Sequence, residues 1–328
     1  MRAVVCSENG SADKLKLEAD WPEPAVGDND VLIDVKAAGI NFPDVLMMQG
    51  KYQHQPELPY IPGGECAGVV SAVGAAVTQY KIGDEVVTYG GSGAFCEKMT
   101  AHEGGVFSKP KGLDFAQAAG VSVNYFTSYY ALKQRAELKA GETLLVLGAG
   151  GGVGITAVEI GKLMGARVIA AASSEEKLQL ARDVGADETI NYSEVGLKDA
   201  VKELTGGRGA DVVYDPVGGD YSEQALRATA WKGRFLVIGF AAGPIPKIPL
   251  NLALLKGCSI VGVFWGASLG KEPEVNEQNI RELWEHFESG RLKPMVADRF
   301  ALHDYEKAFN SLIERKARGK VILEITAF

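Results

Sequence analysis

From about residue 143 to residue 264, apolar runs of strand length alternate with stretches in which apolar side chains recur at helical spacing. Such alternation predicts strands and helices in turn. The predicted strands cover residues 144–147, 167–171, a short run ending at Ile190, 210–214, 234–238 and 258–264, and the helices between them include 175–183, 198–205 and 221–230. Strands that are apolar on both faces indicate a parallel sheet covered by helices on both sides.

The first hundred residues have a different pattern, in which short β-branched runs are separated by glycine and proline. These runs predict strands at residues 2–6, 14–18, 31–38, 67–73, 85–89 and 94–99. Many short strands at close spacing are typical of a small β-barrel-like or sandwich-like unit. Asp114 then marks the start of a helix as its N-cap, and a longer helix is predicted over residues 127–138.

After Trp265 the pattern is mixed, with helices predicted over residues 279–289 and 304–315 and a last strand over 319–325. This tail is too small to bury a core of its own. We therefore expect it to pack on the N-terminal β unit, so that the strand–helix region is an insertion.

The first strand of the alternating region ends at a dense run of glycines, and a helical pattern follows at once. Strand, glycine turn and helix form the phosphate-binding entry of a dinucleotide fold, because glycines let the backbone approach the pyrophosphate and the helix N-terminus offers free N–H groups. The turn reads A-x-G-x-x-G, and a tight connection without a nucleotide is the plainer alternative. Six strands in this order favour a nucleotide, bound by Gly148, Ala149, Gly150, Gly151, Gly152, Val153 and Gly154.

Charge and composition argue against several classes of function. The 328 residues carry a formal net charge of −8, which disfavours nucleic acid or an anionic membrane as the main partner. No apolar run approaches the roughly 18 residues of a membrane span, and we expect no secretory signal at the N-terminus. The four cysteines are scattered without a C-x-x-C pair, so we expect neither a disulfide framework nor a thiolate zinc cluster, and a cytoplasmic location.

Five short stretches carry a resemblance to a known family: AGINFPD at 38–44, PGGECAG at 62–68, the glycine turn at 148–154, DVVYD at 211–215 and GF at 239–240. Together they resemble the medium-chain dehydrogenase/reductase superfamily, and within it the NADPH:quinone oxidoreductase branch, which includes zeta-crystallin-like quinone reductases and 2-haloacrylate reductases. The resemblance implies an α/β chain in which a six-stranded Rossmann domain (125–264) is inserted in a partly β-barrel-like (GroES-like) catalytic domain (1–124 and 265–328). It also implies a homodimer, for which residues 261–264 are a candidate pairing edge.

The zinc alcohol dehydrogenases of that superfamily carry Cys in the first stretch and Gly-His-Glu in the second. Here Asn41 stands at the Cys position and Gly64 at the His position, and only Glu65 is retained. A catalytic zinc needs three protein donors, so no metal is expected. Without a Lewis acid to polarise an alcohol oxygen, the departure favours a zinc-independent reductase of a quinone or an activated double bond.

The residues after the second predicted strand distinguish NADPH from NADH. An NAD enzyme places Asp or Glu there to bind the ribose hydroxyls, whereas this chain has Ser173 and Ser174 and, one helical turn later, Lys177. These side chains favour the 2′-phosphate of NADPH, although either serine also suits a helix cap and the two acids that follow add opposing charge. The resemblance also places Tyr192 beside the adenosine phosphate.

The resemblance places Asn41 and Tyr52 beside the nicotinamide, where they hydrogen-bond cofactor or substrate, and Thr127 at the start of the long helix beside the carboxamide. The plainer alternatives are a loop amide, a half-buried loop aromatic and an ordinary helix residue. The residues that end the fifth and sixth strands and would border a ligand crevice are Gly239, Phe240, Phe264 and Trp265. Phe240 and Trp265 suit plain packing equally well.

These features predict hydride transfer from NADPH to a small electron-poor substrate, with a quinone as the first choice. Reduction of an activated C=C bond in an enone, a 2-haloacrylate or an enoyl thioester is the alternative. Outside enzymes, the alternative is an NADPH-binding stress or structural protein with little turnover.

Overall fold

The computed structural model describes residues 1–325, which form two compact units. The first unit comprises residues 1–123 and 293–325, and the second comprises Asn124–Leu292. The second unit is therefore inserted between two segments of the first, as the sequence predicts. None of the helices within the described residues is both long and apolar enough to cross a membrane.

The N-terminal segment contributes seven strands and two short α-helices. In chain order they are β1 (Ala3–Cys6), β2 (Leu15–Glu18), β3 (Asp30–Ile40), α1 (Phe42–Met48), β4 (Glu65–Val73), β5 (Glu85–Tyr89), β6 (Lys98–His102), β7 (Val106–Ser108) and α2 (Phe115–Ala118). Asp114 caps α2 as predicted, because its carboxylate accepts from the Gln117 N–H at 2.7 Å.

The inserted segment alternates helices and strands. In chain order they are α3 (Ser122–Tyr129), which continues as a π-helix (Tyr130–Arg135), β8 (Thr143–Leu147), α4 (Gly152–Leu163), β9 (Arg167–Ala172), α5 (Glu175–Asp183), β10 (Glu188–Asn191), α6 (Leu197–Leu204), β11 (Ala210–Asp215), α7 (Asp220–Ala228), β12 (Thr229–Val237), α8 (Asn251–Lys256), β13 (Ser259–Gly262), α9 (Trp265–Lys271) and α10 (Pro273–Glu288). The chain then adds β14 (Asp298–Ala301), α11 (Tyr305–Ile313) and β15 (Val321–Glu324).

The second unit is built on one parallel sheet with the strand order β10-β9-β8-β11-β12-β13. β8 is buried at all of its positions, as expected of a central strand covered on both faces. Because all six strands are parallel, their carboxyl ends lie at the same edge of the sheet. The predicted six-stranded dinucleotide fold is confirmed.

The first unit is built on a sheet with the order β14-β15-β3-β4-β5-β7, in which β6 also pairs with β3. The C-terminal strand β15 pairs antiparallel with β3, so that Val321 lies opposite Ile40. Helix α11 completes the core, because the fully buried Phe309 packs edge to face on the fully buried Phe95 at 5.8 Å between ring centroids. The expected packing of the tail on the N-terminal β unit holds for residues 293–325.

The domain boundary predicted at residue 265 is wrong, because residues 265–292 belong to the second unit. Trp265 packs on Phe126 of α3 at 5.6 Å between ring centroids, and Phe287 of α10 packs on Tyr125 at 5.0 Å. These aromatic contacts bury the apolar faces of α9 and α10 against α3. The change of pattern after Trp265 marks the end of the sheet and not the end of the unit.

Two local predictions also differ from the structure. Helix α3 begins at Ser122 rather than at residue 127, and its continuation widens into a π-helix. Residues 94–96 run beside β1, with Val4 N–H donating to Phe95 O at 2.9 Å, and the ladder with β3 begins only at Lys98. The second difference comes from pairing with β1, which local periodicity does not encode.

The packing of α11 predicts that the first unit depends on its C-terminal segment. Truncating Phe309→Ala leaves a cavity beside Phe95, and we expect it to lower the free energy of unfolding by about 3–5 kcal/mol. Ile313→Ala, on the same helix but 37% exposed, should cost about 1 kcal/mol or less. Urea unfolding followed by circular dichroism measures both, and equal losses for the two variants would contradict this account of the core.

Candidate functional site

The glycine turn follows β8 directly and leads into α4. Gly148 has a φ of +59°, a conformation that favours glycine. A Cβ atom at Gly154 would lie 2.1 Å from the carbonyl oxygen of Gly148, so only glycine fits there. Ala149, which replaces the first glycine of the motif, is fully buried, and its N–H donates to Ala171 O at 3.1 Å. The backbone at residues 148–154 therefore forms the tight turn that a pyrophosphate site requires, although Ala149 replaces a glycine.

The N-terminus of α4 offers hydrogen-bond donors to a ligand. Its N-cap is Gly151, which provides no side chain to bind the free N–H groups of the first turn. Lys177 lies against the turn, because a Cβ at Gly150 would approach Lys177 Cβ to 2.5 Å. Gly152 abuts Asn124, and Val153 O accepts from Ser128 Oγ at 3.1 Å, which fixes the helix start to α3. These features fit the pyrophosphate of a dinucleotide.

The tip of β9 carries the residues predicted to select the cofactor. Ser174 is the N-cap of α5 and accepts from the Lys177 N–H at 3.5 Å, so the capping alternative is correct for this serine. Ser173 is exposed beside it. Arg182 forms an ion pair with Glu175, which reduces the negative charge that opposed a phosphate here. Ser173, Ser174 and Lys177 therefore lie together at the tip of β9 and in the first turn of α5.

Tyr192 also lies at this edge, because its N–H donates to Ala172 O at the end of β9 at 3.1 Å. Its ring packs against that of Tyr221 with 4.3 Å between centroids and a tilt of 41°, a contact that the sequence did not reveal. This contact restricts the orientation of a ring predicted to lie beside the adenosine phosphate.

Gly239 and Phe240 follow β12 at the same edge of the sheet. The Gly239 N–H donates to Asp215 O at 3.3 Å, and Phe240 lies close to Gly218. The Asp215 carboxylate accepts from the Val217 and Gly218 N–H groups, each at 2.9 Å, and from Ser222 Oγ at 2.6 Å. Asp215 therefore shapes the turn after β11, in which Val217 lies close to Gly148.

Three further predicted residues lie in different surroundings. Thr127 is in the middle of α3 rather than at its start, because the helix begins five residues earlier. Trp265 is buried, and its indole N–H donates to Asn276 Oδ1 at 3.2 Å, which makes it a packing residue of the second unit. Phe264 is 58% exposed.

In the first unit, a buried polar cluster surrounds Asn41 at the end of β3. Asn41 Nδ2 donates to Glu65 Oε1 at 2.8 Å, and Lys320 Nζ donates to Asn41 Oδ1 at 2.5 Å and also to Glu65 Oε1. Glu65 Oε2 accepts from the Val123 N–H at 2.8 Å. All three side chains are less than 7% exposed. The cluster joins Asn41 to a lysine that the sequence did not reveal.

Asp44 contacts Asn41, and Tyr52 lies near enough to Asp44 to respond to its charge. The Asp44 carboxylate accepts from the Asn41 N–H at 2.7 Å, and burial raises the pKa of Asp44 to about 7. Burial, reinforced by the charge of Asp44, also raises the pKa of Tyr52. The half-buried Tyr52 phenol therefore keeps its proton at neutral pH and can act as a hydrogen-bond donor.

The donor set in this cluster does not fit a catalytic zinc. Gly64 provides no side-chain donor, and both oxygens of Glu65 are bound, one by Lys320 and Asn41 and the other by the Val123 N–H. Within residues 1–325, no group of three or more His, Cys, Asp and Glu side chains is arranged to hold a metal ion. The Lys320 ammonium instead donates to both the Asn41 amide oxygen and the Glu65 carboxylate.

Comparison with known proteins covers both units. Residues 27–136 match the family described as "Alcohol dehydrogenase GroES-like domain", and residues 152–287 match that described as "Zinc-binding dehydrogenase". The first match confirms the GroES-like assignment, and the second name refers to a metal that the donor set described above does not fit.

Individual proteins match over nearly the whole chain. A "Quinone oxidoreductase-like protein 2 homolog" of Nematostella vectensis is 40% identical over 325 residues, covering 98% of this chain and 88% of its own. The "Quinone oxidoreductase" of Homo sapiens is 35% identical over 325 residues, covering 98% and 97%. The crystal structure of Escherichia coli quinone oxidoreductase complexed with NADPH has a TM-score of 0.92 at 30% identity, covering 99% of this chain and 100% of that one. The chain therefore belongs to the quinone oxidoreductase branch of the medium-chain dehydrogenase/reductase superfamily.

Proposed function

We propose that this protein transfers hydride from NADPH to a quinone or another small electron-poor acceptor, without a catalytic metal. The observation that carries the proposal is the buried cluster in which Lys320 and Asn41 both donate hydrogen bonds to the carboxylate of Glu65. The second unit of the same chain has the glycine turn and uncapped helix start of a dinucleotide site. A metal-dependent alcohol dehydrogenase needs the donors that this cluster lacks.

Residues of the second unit would hold NADPH. The turn at residues 148–154 and the first N–H groups of α4 fit its pyrophosphate. Lys177, the hydroxyls of Ser173 and Ser174, and Tyr192 fit the 2′-phosphate. The relative from Escherichia coli was crystallised with NADPH, which supports the same cofactor here. When bound, NADPH supplies the hydride.

Residues of the first unit would orient the acceptor and deliver a proton. Asn41 offers a fixed amide, and Tyr52 offers a protonated phenol because burial raises its pKa. An enone needs a proton at its α-carbon after hydride reaches its β-carbon, and Tyr52 is the candidate donor. A quinone can take its protons from solvent, so Tyr52 matters less for that acceptor. The remaining contribution of the protein is to hold both reactants in a productive orientation.

The edge of the six-stranded sheet supports a homodimer. β13 is an edge strand, and Ile260 on it is 40% exposed. Phe264, Leu254 and Leu250 nearby in sequence are also exposed, at 58%, 77% and 77%. An apolar edge of this kind suits pairing with a second copy of the chain.

We also propose a cytoplasmic location. The four cysteines are free, and three of them are buried, which fits a reducing compartment.

The acceptor class is tested by NADPH oxidation with a quinone, an enone, a 2-haloacrylate and an enoyl thioester. We expect the highest kcat/KM with the quinone, and no effect of a zinc chelator, because no metal takes part. Tyr52→Phe should lower turnover of the enone by about tenfold or more and leave the quinone within about twofold. Tight binding of NADPH without oxidation by any acceptor would instead favour a binding or structural role, and loss of activity with the chelator would overturn the metal-free mechanism.

Cofactor choice is tested at Lys177. Lys177→Ala removes a charged contact with the 2′-phosphate, so KM for NADPH should rise about tenfold while KM for NADH changes little. Lys198→Ala, at an exposed lysine of α6, is the matched control and should leave both values unchanged. A parallel rise in both KM values would show that Lys177 does not read the 2′-phosphate.

The dimer is tested by placing charge on its proposed edge. Ile260→Glu combined with Phe264→Glu should convert a dimer into a monomer in light scattering at micromolar concentration, because buried unpaired carboxylates oppose association. Ile82→Glu alters an isoleucine of the first unit that is 67% exposed and should leave the dimer intact. A wild-type protein that scatters as a monomer refutes the proposal directly.

A further inference from the structure

Lys320 is only 4% exposed, although lysine is almost never buried unless its charge is paired. Neither the hydride donor nor the proton donor of the proposed reaction requires it. Its contacts, however, involve Asn41, one of the two residues predicted to lie beside the nicotinamide.

Backbone register and glycine positions together create the space for this lysine. Val321, the first residue of β15, pairs with Ile40, the last residue of β3, so the residue before Val321 lies beside Asn41. A Cβ atom at Gly39 would lie 2.7 Å from Lys320 Cε, and one at Gly120 would lie 2.8 Å from Lys320 Cγ. Glycine at both positions therefore makes room for the lysine stem.

The contacts of the ammonium determine which way the Asn41 amide points. Lys320 can only donate hydrogen bonds, and the ionised Glu65 can only accept them. With Oδ1 facing Lys320 and Nδ2 facing Glu65, both contacts are satisfied. A 180° rotation of the amide would place Nδ2 against the ammonium and Oδ1 against the carboxylate, and both contacts would become repulsive. The ion pair therefore selects a single orientation of Asn41.

We propose that Lys320 is a positioning residue for the reaction, acting through Asn41. Asn41 Nδ2 donates to Glu65 Oε1 and, at 3.4 Å, to the Gly39 carbonyl oxygen, so both N–H groups of the amide are bound within the protein. Oδ1 accepts from Lys320 and has a second lone pair. Asn41 thus presents a hydrogen-bond acceptor, and its ligand group is a donor such as a hydroxyl or an amide N–H of the cofactor or acceptor. This inference rests on the proposed function.

A double-mutant cycle tests whether Lys320 acts through Asn41. We expect Asn41→Ala to lower kcat/KM for the preferred acceptor by about 10- to 100-fold, the loss typical of one hydrogen bond to a charged or oriented group. Lys320→Met should give a similar loss by releasing the amide. The double variant should be no worse than Asn41→Ala alone, because only an oriented Asn41 benefits from Lys320. Losses that multiply in the double variant would overturn the proposal.

A second variant separates positioning from stability. Lys320→Met leaves the buried Glu65 without its ammonium partner, so the melting temperature of the variant should fall. Adding Glu65→Gln removes that charge and should restore the melting temperature but not turnover, because Oδ1 still lacks its donor. Recovery of turnover together with the melting temperature would mean that Lys320 is merely structural. Lys109→Met removes another lysine of the first unit, 9% exposed and paired with Glu85, and should leave turnover within about twofold.

A readout independent of activity keeps the two proposals distinguishable. In the ¹⁵N-labelled protein, the side-chain amide signal of Asn41 is identified by its loss in Asn41→Ala. We expect slow hydrogen exchange in the wild type and exchange at least tenfold faster in Lys320→Met/Glu65→Gln. If none of the acceptors tested supports NADPH oxidation by the wild type, the proposed function fails. Unchanged hydrogen exchange of the Asn41 amide in the double variant would instead contradict the orientation of Asn41 by Lys320.

Discussion

The first unit is organised around one buried ion pair, that of Lys320 with Glu65. Removing an ammonium and a carboxylate from water is costly, and their attraction offsets the cost only when geometry is good and the remaining hydrogen-bonding capacity is used. Here the Val123 N–H donates to Glu65 Oε2, and the Asn41 amide donates to Glu65 Oε1 beside the ammonium. Gly39 and Gly120 follow from the same constraint, because any larger residue would collide with the lysine stem. The pair therefore dictates both the packing and the residue types around it.

The second unit solves a different physical problem without a buried charge pair. Its parallel sheet brings the carboxyl ends of the strands together, and the start of α4 leaves backbone N–H groups without a side-chain cap. Such donors bind an anion through the backbone, so the side chains of the turn need only be small. This is why Ala149 can replace a glycine: its side chain is accommodated fully buried, while Gly148 and Gly154 occupy the positions where backbone geometry excludes a Cβ.

The sequence predicted those features that depend on neighbouring residues. The strand Glu85–Tyr89 and the helix Glu175–Asp183 lie within the predicted bounds, because alternation and helical periodicity are local signals. The assignment of residues 265–292 was wrong because it depends on aromatic contacts with α3, more than a hundred residues away. Asn41 and the missing zinc ligands could be recognised from short stretches. Lys320 could not, since 279 residues separate it from Asn41.

That separation also links the architecture to the chemistry. Asn41 and Glu65 lie before the inserted unit, and Lys320 follows it, so the cluster closes only when β15 pairs with β3. The register of this pairing sets Val321 opposite Ile40 and Glu324 opposite Ala37, and the first three residues of β15 are buried in it. The same register places the lysine beside the amide. The orientation of Asn41 is therefore a consequence of how the two ends of the first unit pair, and it could be read from the sequence only once that pairing was known.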